Sequence, residues 1–190
     1  MSPQPMLLGP VVHEQPRDPL ERHYTPIGLA AACLARLPDL RMPRVLEPSV
    51  GGGAFVRAAR QRWAGCAVVA VDLDPGAEGF ALADVALHQD FVSGLDVGPC
   101  DIAVGNPPFA DGVAHVRRAL EAAPLVAFIL PIAKIEGGHA WGAWLDVHAP
   151  EVVYPIAGRW NAVARGLGLW VWTRCSGAYR IGPRIEGWRQ

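Results

Sequence analysis

Arg44-Val45-Leu46-Glu47-Pro48-Ser49-Val50-Gly51-Gly52-Gly53-Ala54-Phe55 reads as a buried strand, a glycine loop and the start of a helix. Val45 and Leu46 end the strand, and Glu47 stands where it stops. Gly51 to Gly53 permit positive φ and let a ligand approach the backbone closely. Ala54 to Trp63 carries Phe55, Ala58, Ala59 and Arg62 at spacings of three and four, a helical period. The loop has no Gly-Lys-Ser/Thr ending, which argues against nucleoside triphosphate binding. It also lacks the GxGxxG fingerprint, because Val56 stands where the third glycine belongs. A carboxylate at the strand end suits a cationic ligand better than a pyrophosphate. Taken alone, the segment equally fits a plain tight strand-to-helix turn.

Outward from this segment the pattern repeats. Strands are expected at 67–72, 85–88, 101–105 and 125–130, and helices at 54–63, 77–83, 112–122 and 138–147. Continuous apolar strands alternating with helices indicate an α/β fold with a parallel sheet covered on both faces. Val152 to Ile156 and Leu167 to Thr173, separated by a polar loop containing glycine, read as an antiparallel hairpin, giving seven strands in all. Upstream, Thr25 is a good N-cap and Pro26 suits the first position of a helix running from Ile27 to Leu37. Residues 1–22 are proline-rich and read as a flexible arm, 23–180 as one catalytic domain, and 181–190 as a C-terminal tail, with no separate target-recognition domain. Glu47, Asp72, Asp90 and Asn106 all fall at the carboxyl ends of expected strands, where open α/β sheets hold their ligands.

The last of these opens the turn Asn106-Pro107-Pro108-Phe109. The Asn amide supplies an acceptor oxygen. The Pro107 carbonyl supplies a second, and Pro108 holds the backbone in a restricted extended form. Phe109 adds a flat apolar face. Together these suit the grip of a planar group that carries an –NH2. The same four residues also suit a rigid turn with Asn as turn former. Asp72 and Asp74 likewise suit a turn before Pro75-Gly76, Asp90 a helix cap, and Tyr24-Thr25-Pro26 a helix start.

The order Tyr24-Thr25-Pro26, Glu47-Pro48-x-x-Gly51-x-Gly53-x-Phe55, Val71-Asp72-x-Asp74-Pro75, Asp90-Phe91 and Asn106-Pro107-Pro108-Phe109 resembles the S-adenosylmethionine-dependent amino-group (N6-adenine) methyltransferases. The resemblance runs from about residue 22 to about residue 175, and is nearest to the group whose cofactor motif precedes its catalytic motif. It implies a Rossmann-like class I methyltransferase fold, a mostly parallel sheet closed by the antiparallel hairpin, and S-adenosyl-L-methionine as cofactor. It further implies that Glu47, Pro48, Gly51, Gly53 and Phe55 face the methionine part, closed over by Tyr24, Thr25 and Pro26. Asp72 would take the ribose hydroxyls, and Asp90 with Phe91 the adenine. Asn106 and Pro107 would accept both N–H bonds of the target amine, localising its lone pair for direct in-line transfer. Phe109 would stack on a base that is flipped out or unpaired. Trp160 and its neighbour Arg159 are expected on the substrate side, while Trp141, Trp144, Trp170 and Trp172 read as packing residues.

The resemblance implies DNA adenine as the substrate. RNA adenine or guanine amines are the enzymatic alternative, and a non-catalytic nucleic-acid-binding relic the alternative of another class. The compact form resembles solitary methyltransferases of phages and mobile elements, with loops or a partner supplying recognition. Six arginines against two glutamates give residues 151–190 a net charge of +4, which suits phosphate tracking as well as an ordinary solvated surface. Cys33, Cys66, Cys100 and Cys175 lack CxxC spacing, and the six histidines lack ligand spacing, so no metal is expected. Scattered cysteines and the absence of a signal-peptide pattern point to a cytoplasmic protein. The longest apolar run, Leu125 to Ile132, is far too short to span a bilayer.

Overall fold

The computed structural model describes residues 24–94, 96–134, 139–158, 166–173 and 180–188. Its centre is a sheet of eight strands: β1 (Arg44–Glu47), β2 (Ala67–Asp72), β3 (Val85–His88), β4 (Ile102–Gly105), β5 (Leu125–Pro131), β6 (Val152–Pro155), β7 (Leu167–Thr173) and β8 (Arg180–Ile181). They lie in the order β3-β2-β1-β4-β5-β7-β6-β8. The five strands from β3 to β5 pair in parallel, whereas β7 runs antiparallel to both β5 and β6. The expected hairpin is therefore present. The strand count is eight rather than seven, because Arg180–Ile181 pairs in parallel with β6. Two exposed residues offer too short an apolar pattern for sequence reading to register as a strand.

The central strands alternate their side chains between two apolar layers, as a pleat requires, whereas β3 and β8 are largely exposed. Val45, Ile102, Ala127 and Ile129 join the layer beneath helices α1 (Ile27–Leu34) and α2 (Ala54–Arg62). Leu46, Ala103, Phe128 and Leu130 join the layer beneath α3 (Gly112–Ala122), which also holds Trp141 from α4 (His139–Val147). Trp170 and Trp172 are fully buried there, stacked with ring centroids 5.8 Å apart. Their indole nitrogens donate to the carbonyls of Leu130 and His148, so burial leaves neither N–H wanting. Cys33, Cys66 and Cys100 are buried free thiols whose pKa burial pushes up.

Two local details differ from the sequence reading. Pro26, extended at φ −60° and ψ 140°, occupies the N-cap of α1, and no side-chain cap hydrogen bond is made. Its carbonyl accepts from the amides of Leu29 and Ala30, which leaves Thr25 outside the helix. Residues 181–188, read as a tail, join the domain: Ile185 is buried and bridges Ile156, and the indole of Trp188 donates to the Ala157 carbonyl at 2.9 Å. The arm at 1–22 lies outside the described residues.

The topology fixes where a ligand can sit. From β1 the chain moves outward through β2 to β3, then returns to β4 on the other side of β1 and continues to β5. The sheet reverses its winding between β1 and β4, and the crevice beyond their carboxyl ends is the switch point.

Candidate active site

The glycine loop that follows β1 is built by backbone contacts that no side chain would allow. Gly53 has φ +75°, and a Cβ there would fall 2.6 Å from Leu82 Cδ1 and 2.8 Å from the Cα of Gly79. Gly79 lies in a short 3-10 turn, Glu78–Leu82, and a Cβ on it would meet Val50 Cγ2 at 2.4 Å. The two glycines therefore stand backbone to backbone, and the Gly79 amide donates to the Gly51 carbonyl at 2.8 Å. A five-residue 3-10 turn, Glu78–Leu82, stands where the sequence predicts a helix at 77–83, its Gly79 packed against Gly53.

Asp72, at the end of β2, ties the same loop from the other side. One carboxylate oxygen accepts from the Gly51 amide at 2.8 Å, and the other from the Asp74 amide at 2.9 Å. The Tyr24 ring lies over Gly51, where a Cβ would come within 3.1 Å of it. Glu47 is 2% exposed and accepts from the Ser49 amide at 3.2 Å. A Cβ on Gly105 would fall 2.4 Å from its Oε1, so the carboxyl of β1 lies against the last residue of β4, next to Asn106. Burial raises the Glu47 pKa well above the ordinary carboxylic range; the Ser49 amide pulls it back and the Asp72 charge adds to the rise.

These groups enclose a cavity of about 630 Å³, within the roughly 300–1,000 Å³ of small-molecule sites. Tyr24, Thr25, Glu47, Pro48, Gly51 and Phe55 line one end. Asp72, bonded to Gly51, lines it too; Asp90, Phe91, Asp111 and His115, its ring against Phe91, line the Phe91 end, and Asn106 and Pro108 complete the wall. Pro26, Gly53, Pro107 and Phe109 stand outside the lining: Gly53 shapes the loop from behind, Pro107 is buried, and Phe109 packs half-buried against the α1–α2 layer. Arg159 and Trp160 lie outside the described residues. The Oδ1 of Asn106 is shielded from solvent, and a half-turn of the amide would exchange it with the nitrogen.

The charge of the lining is one-sided. Glu47, Asp72, Asp74, Glu78, Asp90 and Asp111 contribute carboxyl groups, and no arginine or lysine lines the cavity among the described residues. A polyanionic ligand would be repelled, whereas a cation is favoured. The N-terminal turn of α2 is the exception. Ala54 and Phe55 line the cavity there, where unpaired amides and the helix dipole place partial positive charge. Among the described residues no group of three or more His, Cys, Asp or Glu side chains is arranged to hold a metal ion, and no helix is long and apolar enough to cross a membrane.

Several residues escaped sequence reading, Glu78, Asp111 and His115 in the lining and Gly79 behind the glycine loop among them. Gly79 carried a signal, since a glycine inside an expected helix marks a packing demand. His115 carried none beyond its type: it is the fourth residue after Asp111, and only the fold brings it to the cavity.

No protein-family model matches the chain, and no curated protein matches it in sequence. Solved structures do share the fold. The methyltransferase subunit of a type I restriction-modification system from Streptococcus thermophilus matches with a TM-score of 0.69 at 14% identity, over 84% of this chain and 47% of that one. A protein from Pyrococcus horikoshii described as a putative RNA methyltransferase matches with a TM-score of 0.61 at 17% identity, over 81% of this chain and 88% of that one. A ribosomal protein L11 methylase from Lactobacillus delbrueckii subsp. bulgaricus matches with a TM-score of 0.55 at 19% identity, over 77% of this chain and 76% of that one. The chain has the fold of these methyltransferases, and spans about half the length of the restriction-modification subunit.

Proposed function

We propose that this chain is an S-adenosylmethionine-dependent methyltransferase that modifies the N6 amine of adenine in DNA. The observation that carries the reading is the cavity at the switch point, lined by carboxyl groups and, among the described residues, by no arginine or lysine, with Asn106 in its wall. The cofactor supplies an electrophilic methyl group on a sulfonium and carries an amino-acid end of both charges. The lining fits both features. Glu47 offers a buried carboxyl that a bound cation would hold ionised, and the first turn of α2 offers amides to the carboxylate. Asp72 already accepts two backbone N–H bonds, and each oxygen keeps a lone pair for a ribose hydroxyl. Asp90 stands ready for an amine, with Phe91 as an apolar wall.

At the transfer end, Asn106 would turn its amide oxygen to the incoming amine, and the Pro107 carbonyl, which lies behind the lining, would turn into the cavity to take the second N–H. Those two acceptors pull the nitrogen lone pair out of conjugation and hold it in line for attack. Orientation of this kind removes roughly 7–11 kcal/mol of barrier. No base needs to act before transfer, because the methylated amine is itself acidic. The base must leave its stack to reach the cavity. Phe109, the last residue of the turn, which would leave its place against the α1–α2 layer, and the Trp160 loop are the proposed stacking partners.

RNA is the second reading. The chain covers 88% of the Pyrococcus protein but only 47% of the restriction-modification subunit. One experiment separates the readings: incubate the protein with labelled cofactor and either DNA or RNA, then digest to nucleosides. Label in N6-methyldeoxyadenosine is expected. Label in ribonucleosides alone moves the substrate to RNA, and no label in any nucleoside contradicts the proposal.

A further inference from the structure

His115 lies in the cavity wall, is 6% exposed, and has no part in the chemistry above. It sits in the first turn of α3, where its Nδ1 is 3.1 Å from the carbonyl oxygen of Asp111. A carbonyl can only accept, so Nδ1 carries the proton and Nε2 carries the lone pair. Burial lowers the pKa of the ring, opposed by the Asp111 carbonyl and the charges of Asp111 and Asp90, so the imidazole is neutral at physiological pH. The ring is tilted against Phe91 with centroids 5.8 Å apart. His115 therefore belongs to the Phe91 end of the cavity.

We propose that His115 is a specificity-determining residue of that end: its Nε2 accepts a hydrogen bond from the exocyclic amine of a purine held beside Phe91, so that the site takes 6-aminopurine nucleosides and refuses 6-keto ones. An amine has two N–H groups, and Asp90 and His115 offer two acceptors at one end of the cavity. A 6-keto purine would turn an acceptor oxygen toward those lone pairs. Sites that pair a polar group in this way reject the mismatched analogue far more strongly than apolar pockets do. The inference rests on the proposed reading of the cavity as the cofactor site and extends it by naming the residue that reads the nucleobase.

The test is calorimetric titration of the full chain with S-adenosylhomocysteine and with its 6-keto counterpart, S-inosylhomocysteine. His115→Phe keeps a ring against Phe91 and removes the lone pair. It is expected to weaken the adenosyl compound by about tenfold, the loss of one hydrogen bond, and to leave the inosyl compound unchanged, so the preference narrows. His115→Gln, whose side-chain oxygen can accept in the same direction, is expected to recover part of the preference. Equal weakening of both compounds by His115→Phe, or no change in either, overturns the proposal. Wild-type protein that binds neither compound overturns the cofactor reading itself, and this inference with it.

Discussion

The Glu47 carboxyl lies against Gly105, the residue before Asn106, because Gly105 has no side chain: any Cβ there would displace it. The roles of Glu47 and Asn106 separate by mutation. Asn106→Ala removes the amide that positions the amine but nothing that holds the cofactor. Methyl transfer is expected to fall at least ~100-fold, the scale of losing one aligned polar group in a transition state, with cofactor affinity kept within a few-fold by calorimetry. Lost affinity with normal turnover at saturation would contradict the assignment. Glu47 is a stability liability. Its pKa in the folded chain is raised by burial and by Asp72, so above the ordinary value of 4.5 the folded state binds more protons than the unfolded one. Stability from this group is then lost as pH rises through that window. Glu47→Gln keeps an oxygen for the Ser49 amide and removes the titration. The variant should melt higher than wild type at pH 8, by about 2–4 °C for each ~1 kcal/mol relieved, with the gap closing toward pH 5. It should also bind S-adenosylmethionine more weakly. A variant that melts lower at every pH would refute the buried-carboxyl account.

The strand–glycine loop–helix element was legible from its residues alone. Val45-Leu46, three glycines and the helical spacing after Ala54 demand that local geometry, and β1, the loop and α2 follow it. The partner of the loop was not legible. Gly79 lies 26 residues beyond Gly53 in sequence, and its role depends on the close packing of the 3-10 turn against the loop, a contact that no local pattern encodes. Gly79→Ala tests that element. Its Cβ would meet the Val50 side chain at 2.4 Å and the Gly53 backbone at 2.9 Å. Overpacking of this kind costs about 1–3 kcal/mol, and here the strain is delivered to the loop that frames the cavity. A lowered melting temperature together with weaker cofactor binding is expected, read by thermal denaturation with and without S-adenosylmethionine. The Thr25 cap failed for a similar local reason: Pro26 is extended, so the helix begins one residue later than the side-chain preference suggested.

At the scale of the whole chain, the alternation of apolar strands and helices was enough to anticipate a parallel sheet and a closing hairpin. It could not anticipate strand order, which depends on where each crossover returns, nor the pairing of Arg180–Ile181 with β6. The anchoring of residues 181–188 escaped for the same reason. Trp188 is tied to Ala157, and its carbonyl lies where a Cβ on Gly28 of α1 would fall, 2.4 Å away. Glu47, Asp72, Asp90 and Asn106 come together because that strand order brings four separate strand ends to one crevice. The most direct measurement is calorimetric titration of the intact protein with S-adenosylmethionine, alongside Asp72→Ala. One molecule bound per chain is expected, at least ~10-fold more weakly in the variant, since Asp72 holds both the loop and the proposed ribose site. No binding heat and no shift in melting temperature at saturating concentrations would contradict the account.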